Sequence, residues 1–202
     1  MHKSLGWLVL GVSLLIAACG QPQRGAPVAA ASPNESPPAT ASGSPAGWTT
    51  YNEPAWGYAV SMPAGWRLVM AGEPTPQQFR HFSSETVTDV TTLKGLGPNA
   101  MMLTIIVSNA NSGCPGVQPP VGWTESTVPA VAISIDGYNA VVSGHQAQDL
   151  SSWGLQATAA KGKYCYSFGG LTTNHDAQVK WAPLFEQMLT TFRFGTPVAP
   201  PF

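Results

Sequence analysis

From residue 48 onward, apolar and polar positions alternate over short stretches that Gly and Pro interrupt at close intervals. This pattern predicts strands over residues 48–51, 58–61 and 66–70, with weaker candidates at 80–84 and in the Thr-rich stretch 86–93. Within GYAVSMPAGWRLV (57–69), Tyr58, Val60 and Met62 share one face, and Pro63-Ala64-Gly65 turns the chain. Trp66 and Leu68 are then expected to re-enter the core. Between these early strands only residues 76–81 offer room for a short helix. The run MMLTIIVS (101–108) reads as a buried strand, and the Asn-, Gly- and Pro-containing stretch 109–122 as a long loop. Asp136-Gly137, set between apolar runs 128–135 and 138–144, signals a hairpin. Residues 154–160 and 164–168, flanking Lys161-Gly162-Lys163, signal a second.

The periodicity changes near the C-terminus. Trp181, Leu184, Phe185, Met188, Leu189 and Phe192 fall at i, i+3, i+4, i+7, i+8 and i+11, which is one apolar helical face. Pro183 fits a first turn and would kink a helix begun at Asn174 or Asp176. That face should pack on a sheet, with Phe185 and Leu189 in the core and Glu186 and Gln187 on the solvent side. Antiparallel strands followed by a late amphipathic helix point to an α+β fold.

The N-terminal pattern is of another kind. Lys3 precedes an apolar run from Leu5 to Ile16, which is signal-peptide length and too short to span a bilayer of about 30 Å. The run ends in Ile16-Ala17-Ala18-Cys19, which resembles a bacterial lipobox. The expectation is a signal peptide over 1–18 and a lipidated Cys19 at the extracytoplasmic face of a bacterial membrane. Each buried acyl methylene contributes about 0.8 kcal/mol, so two or three chains suffice as an anchor. Residues 20–47 are dominated by Pro, Ala, Ser and Gly, with Val28 the only bulky aliphatic residue. Such a segment cannot offset its ordering entropy by burial, so 19–47 reads as a lipidated tether. The globular domain is expected over 48–196, and 197–202 forms a short tail.

Charge is scarce. Only 9% of the chain is Asp, Glu, Lys or Arg, and the net charge is −1, so no basic surface exists to neutralise phosphates. Nucleic acid is therefore excluded as a partner. With Cys19 lipidated, Cys114 and Cys165 remain, and two cysteines in an exported domain most simply form a disulfide. It would close a loop of about 50 residues and bring the two Cα atoms within about 7 Å. A redox pair or half of a metal site is the alternative, although neither cysteine sits in a C-x-x-C.

Gly57-Tyr58-Ala59-Val60 followed by Met62-Pro63 and Trp66 resembles the opening of the PsbP-like fold. The apolar strand running into Asp136-Gly137, with Ala140 beyond it, is similar to that family's central hairpin. Phe185 and Leu189-Thr190-Thr191-Phe192 resemble its closing helix and short final strand. The resemblance implies a central antiparallel sheet flanked by helices. Its photosynthetic members are accessory subunits of photosystem II, and nothing in this chain points to that partner.

Candidate chemistry is thin. His81, His145 and His175 lack metal-ligand spacing such as H-x-x-x-H and read as solvated or locally hydrogen-bonded side chains. Gly95-Leu96-Gly97-Pro98-Asn99-Ala100 matches G-x-G-x-x-A but precedes a strand, so it is a loop rather than a phosphate cradle. Ser167 lacks the Gly two residues before it that a nucleophile elbow requires. Glu85, Asp89, Asp136, Asp149 and Glu186 form no defensible acid–base pair. No catalytic residue, metal or cofactor is assigned. Trp48, Trp56, Trp123, Trp153, Tyr51 and Tyr138 are left as core packing or as exposed rings for a glycan or protein partner. The resulting expectation is a tethered envelope lipoprotein that acts as a non-enzymatic binding or assembly factor for an unidentified envelope protein or glycan. The alternatives are a small-ligand or lipid carrier, with its pocket between sheet and helix, and a weakly signalled hydrolase.

Overall fold

The computed structural model describes residues 44–72, 77–110, 114 and 121–198. The signal peptide, Cys19, the tether up to residue 43 and residues 199–202 lie outside them.

Strand β5, Met102–Asn109, is an inner strand of the large sheet. Its β-branched and aliphatic residues suit an inner strand, and Leu103, Ile105 and Val107 are fully buried on one face. Around it an antiparallel sheet runs in the order β3 (Arg67–Gly72), β4 (Gln77–Ser83), β5, β10 (Tyr164–Thr172), β9 (Trp153–Lys161), β8 (Tyr138–Ala147) and β6 (Trp123–Glu125). A smaller sheet joins β1 (Trp48–Glu53), β2 (Tyr58–Pro63) and β11 (Arg193–Phe194). Strand β7 (Val131–Ile135) pairs with the first half of β8, from Tyr138 to Val142. The second half of β8 pairs with β9 from Ser143 to Gln146. The turn between β7 and β8 has positive φ at Asp136 (49°) and Gly137 (85°), the geometry of a two-residue hairpin loop.

Helix α1, His175–Thr190, is the one helix among the described residues. The fold is therefore α+β with a single helix on the sheet, not a sheet flanked by helices. Residues 76–81, expected to allow a short helix, belong instead to β4 from Gln77 onward. Stretch 86–93 is not a strand. It forms turns with one isolated bridge, Asp89 to Lys94, and folds over the sheet through a small cluster of Val87, Leu93, Leu96, Ala100 and Met102. Gly95-Leu96-Gly97 is a loop, as expected.

The helix also starts earlier than Pro183 suggests. Asn174 is its N-cap, with the side chain accepting a hydrogen bond from the Ala177 amide at 2.8 Å, and Asp176 sits favourably in the first turn. Pro183 removes a donor to the Val179 carbonyl, but both residues are exposed, so water can take that acceptor. Phe185, Met188 and Leu189 are fully buried against the sheet, Gln187 is exposed, and Glu186 is half-buried rather than exposed. The fit is close at Gly170, where a Cβ atom would meet the Phe185 ring at 2.9 Å. Thr191 ties the helix end to β2 by accepting from the Ser61 amide at 3.0 Å.

Tyr58, Val60, Met62 and Trp66 are buried as expected, and Trp66 meets Trp181 edge-on at 5.7 Å between ring centres. Leu68 is not in the core. It is 41% exposed, because β3 is the outermost strand and its pairing with β4 is irregular between Leu68 and Met70. A buried ion pair links the two sheets: Glu53 on β1 accepts from Arg80 on β4 at 2.8 Å and from Tyr51 at 2.8 Å.

Candidate functional site

Successive side chains of a strand point to opposite faces, so the residues between the buried aliphatics of the large sheet form its second face. No helix covers that face among the described residues. Loop 84–100 closes one end of it, resting on Met102 and Leu171. Cys165 on β10 also points to this side and is bridged to Cys114, with Cα atoms 5.4 Å apart. The disulfide expected from the two cysteines is therefore part of this face.

Between these features lies a recess of about 220 Å³. Its walls include Ile106, Leu171 and Trp123, and Gly154 and Gly169 lie in its floor. The two glycines differ in consequence. A Cβ at Gly154 would press on the Trp123 and Leu171 side chains at 3.3 and 3.4 Å, so those side chains close over it. A Cβ at Gly169 would meet only Thr104, at 3.7 Å, so the space above Gly169 is open.

His81, Thr104, His145, Gln156 and Ser167 supply the polar groups of the lining. His81 Nδ1 lies 2.8 Å from the Thr104 hydroxyl, and burial pushes its pKa down. His145 is 2% exposed, with Nε2 2.9 Å from the Ser143 hydroxyl and Nδ1 without a hydrogen-bond partner. Burial lowers its pKa as well, and Glu125, opposite it on β6, works weakly against that shift. Its backbone is held from the far side of the sheet. Gln178 of α1, fully buried, donates to the carbonyls of His145 at 3.0 Å and Gly154 at 2.6 Å. Nothing in the sequence pattern marks Gln178, a polar residue on an apolar helical face, as that clamp.

The three histidines do not assemble. His81 on β4 and His145 on β8 are separated by four strand-to-strand steps, about 19 Å along the sheet at roughly 4.8 Å per step. His175, at the start of α1, contacts the Thr127 hydroxyl at 2.7 Å. Among the described residues, no three His, Cys, Asp or Glu side chains come close enough to hold a metal ion. The acids serve local structure. Glu85 accepts from the Gly97 amide, Asp89 from Thr91, Asp149 from Ser151, and Asp136 from the Phe194 amide. None of them lines the recess, and neither Lys nor Arg does. Ser167 lines it without an acid–base partner among the lining carboxylates, since there are none. The chemistry available is therefore neutral: apolar contact, stacking on Trp123 and hydrogen bonding.

Of the aromatic candidates, Trp56 is fully buried and Trp48 and Tyr51 pack on the core. Tyr138 is 38% exposed and meets Phe194 edge-on. Trp123 alone among them lines the recess. The space between sheet and helix, where a carrier pocket was expected, is filled by Phe185, Met188, Leu189 and Phe192.

No family model and no curated protein matches this chain. Several solved structures do. One is the solution structure of cyanobacterial PsbP (CyanoP) from Synechocystis sp. PCC 6803, 14% identical, covering 74% of this chain and 93% of that one with a TM-score of 0.46. A Bacteroides thetaiotaomicron crystal structure is 10% identical, with 73% of this chain, 48% of that one and a TM-score of 0.42. A Pseudomonas aeruginosa protein of unknown function is 18% identical, with 71%, 94% and a TM-score of 0.40.

Proposed function

We propose that this chain is a bacterial cell-envelope lipoprotein whose α+β domain, PsbP-like in its sequence motifs, acts by non-enzymatic binding. Its recess on the open sheet face is the binding site. The anchoring half of this reading is supported by the apolar run ending in Ile16-Ala17-Ala18-Cys19 and by the Pro, Ala, Ser and Gly composition that follows. Among the described residues, no helix is long and apolar enough to cross a membrane. The observation that carries the binding half is the recess: concave, largely apolar, lined by one buried imidazole with an unpartnered nitrogen, and holding no charged carboxylate or ammonium. That lining favours a binder over a hydrolase, and a hollow of this size favours a small ligand over a flat protein contact.

Two experiments test the two halves. Labelled palmitate should enter the wild-type chain and not Cys19→Ala, which should be released from the membrane fraction. Incorporation into the variant would overturn the anchor. For the site, a small-molecule extract of the host envelope should shift the amide resonances of Thr104, Gln156 and Gly169. Shifts confined to surfaces away from these residues would remove the recess from the proposal.

A further inference from the structure

Size, charge and a neutral polar lining narrow what the recess can hold. Its volume of about 220 Å³ exceeds the ~150 Å³ apolar cavity that accepts a benzene ring and falls below the 300–1,000 Å³ of drug-sized sites. One fused or substituted ring fits. Trp123 provides a flat π surface along one wall, and Ile106 and Leu171 provide apolar contact. A ligand carrying a full charge would be desolvated here with no opposite charge in the lining, which is costly. Thr104, His145, Gln156 and Ser167 place neutral polar groups along the lining, so a ligand with no polar atom would forgo hydrogen bonding there.

We propose that the recess binds a small uncharged molecule built on an aromatic or heteroaromatic ring with one hydrogen-bonding group. The ring occupies the open space above Gly169 beside Trp123, and the polar group is directed towards His145. This rests on the reading of the recess as the binding site and adds the chemical class of its ligand. The glycine floor is part of the specificity. At Gly169 the backbone leaves room for a flat ring, while the neighbouring Gly170 gives its room to Phe185 of the helix.

The test uses the full-length chain in detergent and three probes with the same ring: indole, which is neutral; indole-3-acetate, an anion; and tryptamine, a cation. Calorimetric titration should show indole binding, with both charged analogues at least tenfold weaker. Gly169→Leu, which fills the open space without a backbone clash, should abolish indole binding while keeping the wild-type melting temperature. His145→Phe should weaken indole by about tenfold, the loss of one hydrogen bond to a buried partner. Equal binding of all three probes, no binding of indole, or indole binding undiminished in Gly169→Leu would each overturn the ligand class. If envelope extract shifts Gly169 and Gln156 while indole does not bind, the ring assignment falls and the recess survives as a site. If neither perturbs them, both fall.

Discussion

Gly169 and Gly170 are neighbours on one strand and face opposite sides of the same sheet, and the two sides have been put to opposite uses. Above Gly170 the chain supplies its own aromatic ring, Phe185, so tightly that no Cβ fits. Above Gly169 it supplies nothing, and the nearest atom to a Cβ would be 3.7 Å away. Both absences of a side chain make room. One room is filled by the fold and the other is left for something else. A single run of alternating residues can thus specify a core on its even positions and a receptive surface on its odd ones, because side-chain direction along a strand has a period of two.

The contrast breaks most visibly on the filled side. Phe185→Ala empties a fully buried position and should cost about 3–5 kcal/mol, read as a fall in the urea midpoint. A cost below about 1 kcal/mol would mean the helix does not pack as described. Next in size is the bridge on the open face. Replacing Cys114 and Cys165 together by Ser should cost about 2–4 kcal/mol, since a closed loop spanning 51 residues is freed in the unfolded chain. An unchanged midpoint under reducing conditions would show that the bridge does not restrict that ensemble.

A smaller effect should come from pH. His81 and His145 have pKa values pushed below the usual imidazole range near 6.5 by burial, so the unfolded chain takes up protons first. Their neutral forms support stability above about pH 6.5, and that support is lost as pH falls towards the depressed folded values. The melting temperature should therefore drop between pH 7 and 5, and His81→Gln should flatten the curve. A melting temperature that rises on acidification would contradict the assigned burial. Least of all, Gln187→Ala on the exposed side of α1 should leave the midpoint within about 0.5 kcal/mol.

Strands whose apolar residues point inward were readable from their alternation, as were both hairpins and the late helical face. Strand β4 was legible only in its second half, as the weak candidate 80–84, and the reason is physical. Its inward positions are Gln78, Arg80 and Phe82 while Phe79 sits outward, so its pattern is inverted by the buried Glu53–Arg80 pair. The helix start was hidden by Pro183, which is harmless mid-helix only because its side of the helix is solvated. Leu68 looked like core because alternation says nothing about whether a strand has a neighbour on its outer edge. The recess was illegible altogether. Six strands contribute between one and four residues each to it, and no local run records that they meet.

Strand β8 changes partners halfway along, and this has a consequence for how the native state opens. Residues Tyr138–Val142 are paired with β7 alone, while Ser143–Gln146 are locked to β9. The hairpin from Val131 to Val142 is thus a local unit whose rupture spares every hydrogen bond among β4, β5, β10 and β9. Sub-global fluctuations follow such seams, so this hairpin should form a separate foldon. Its amides will exchange with solvent deuterium through an opening that costs less than global unfolding, while those of β5 and β10 wait for the whole domain.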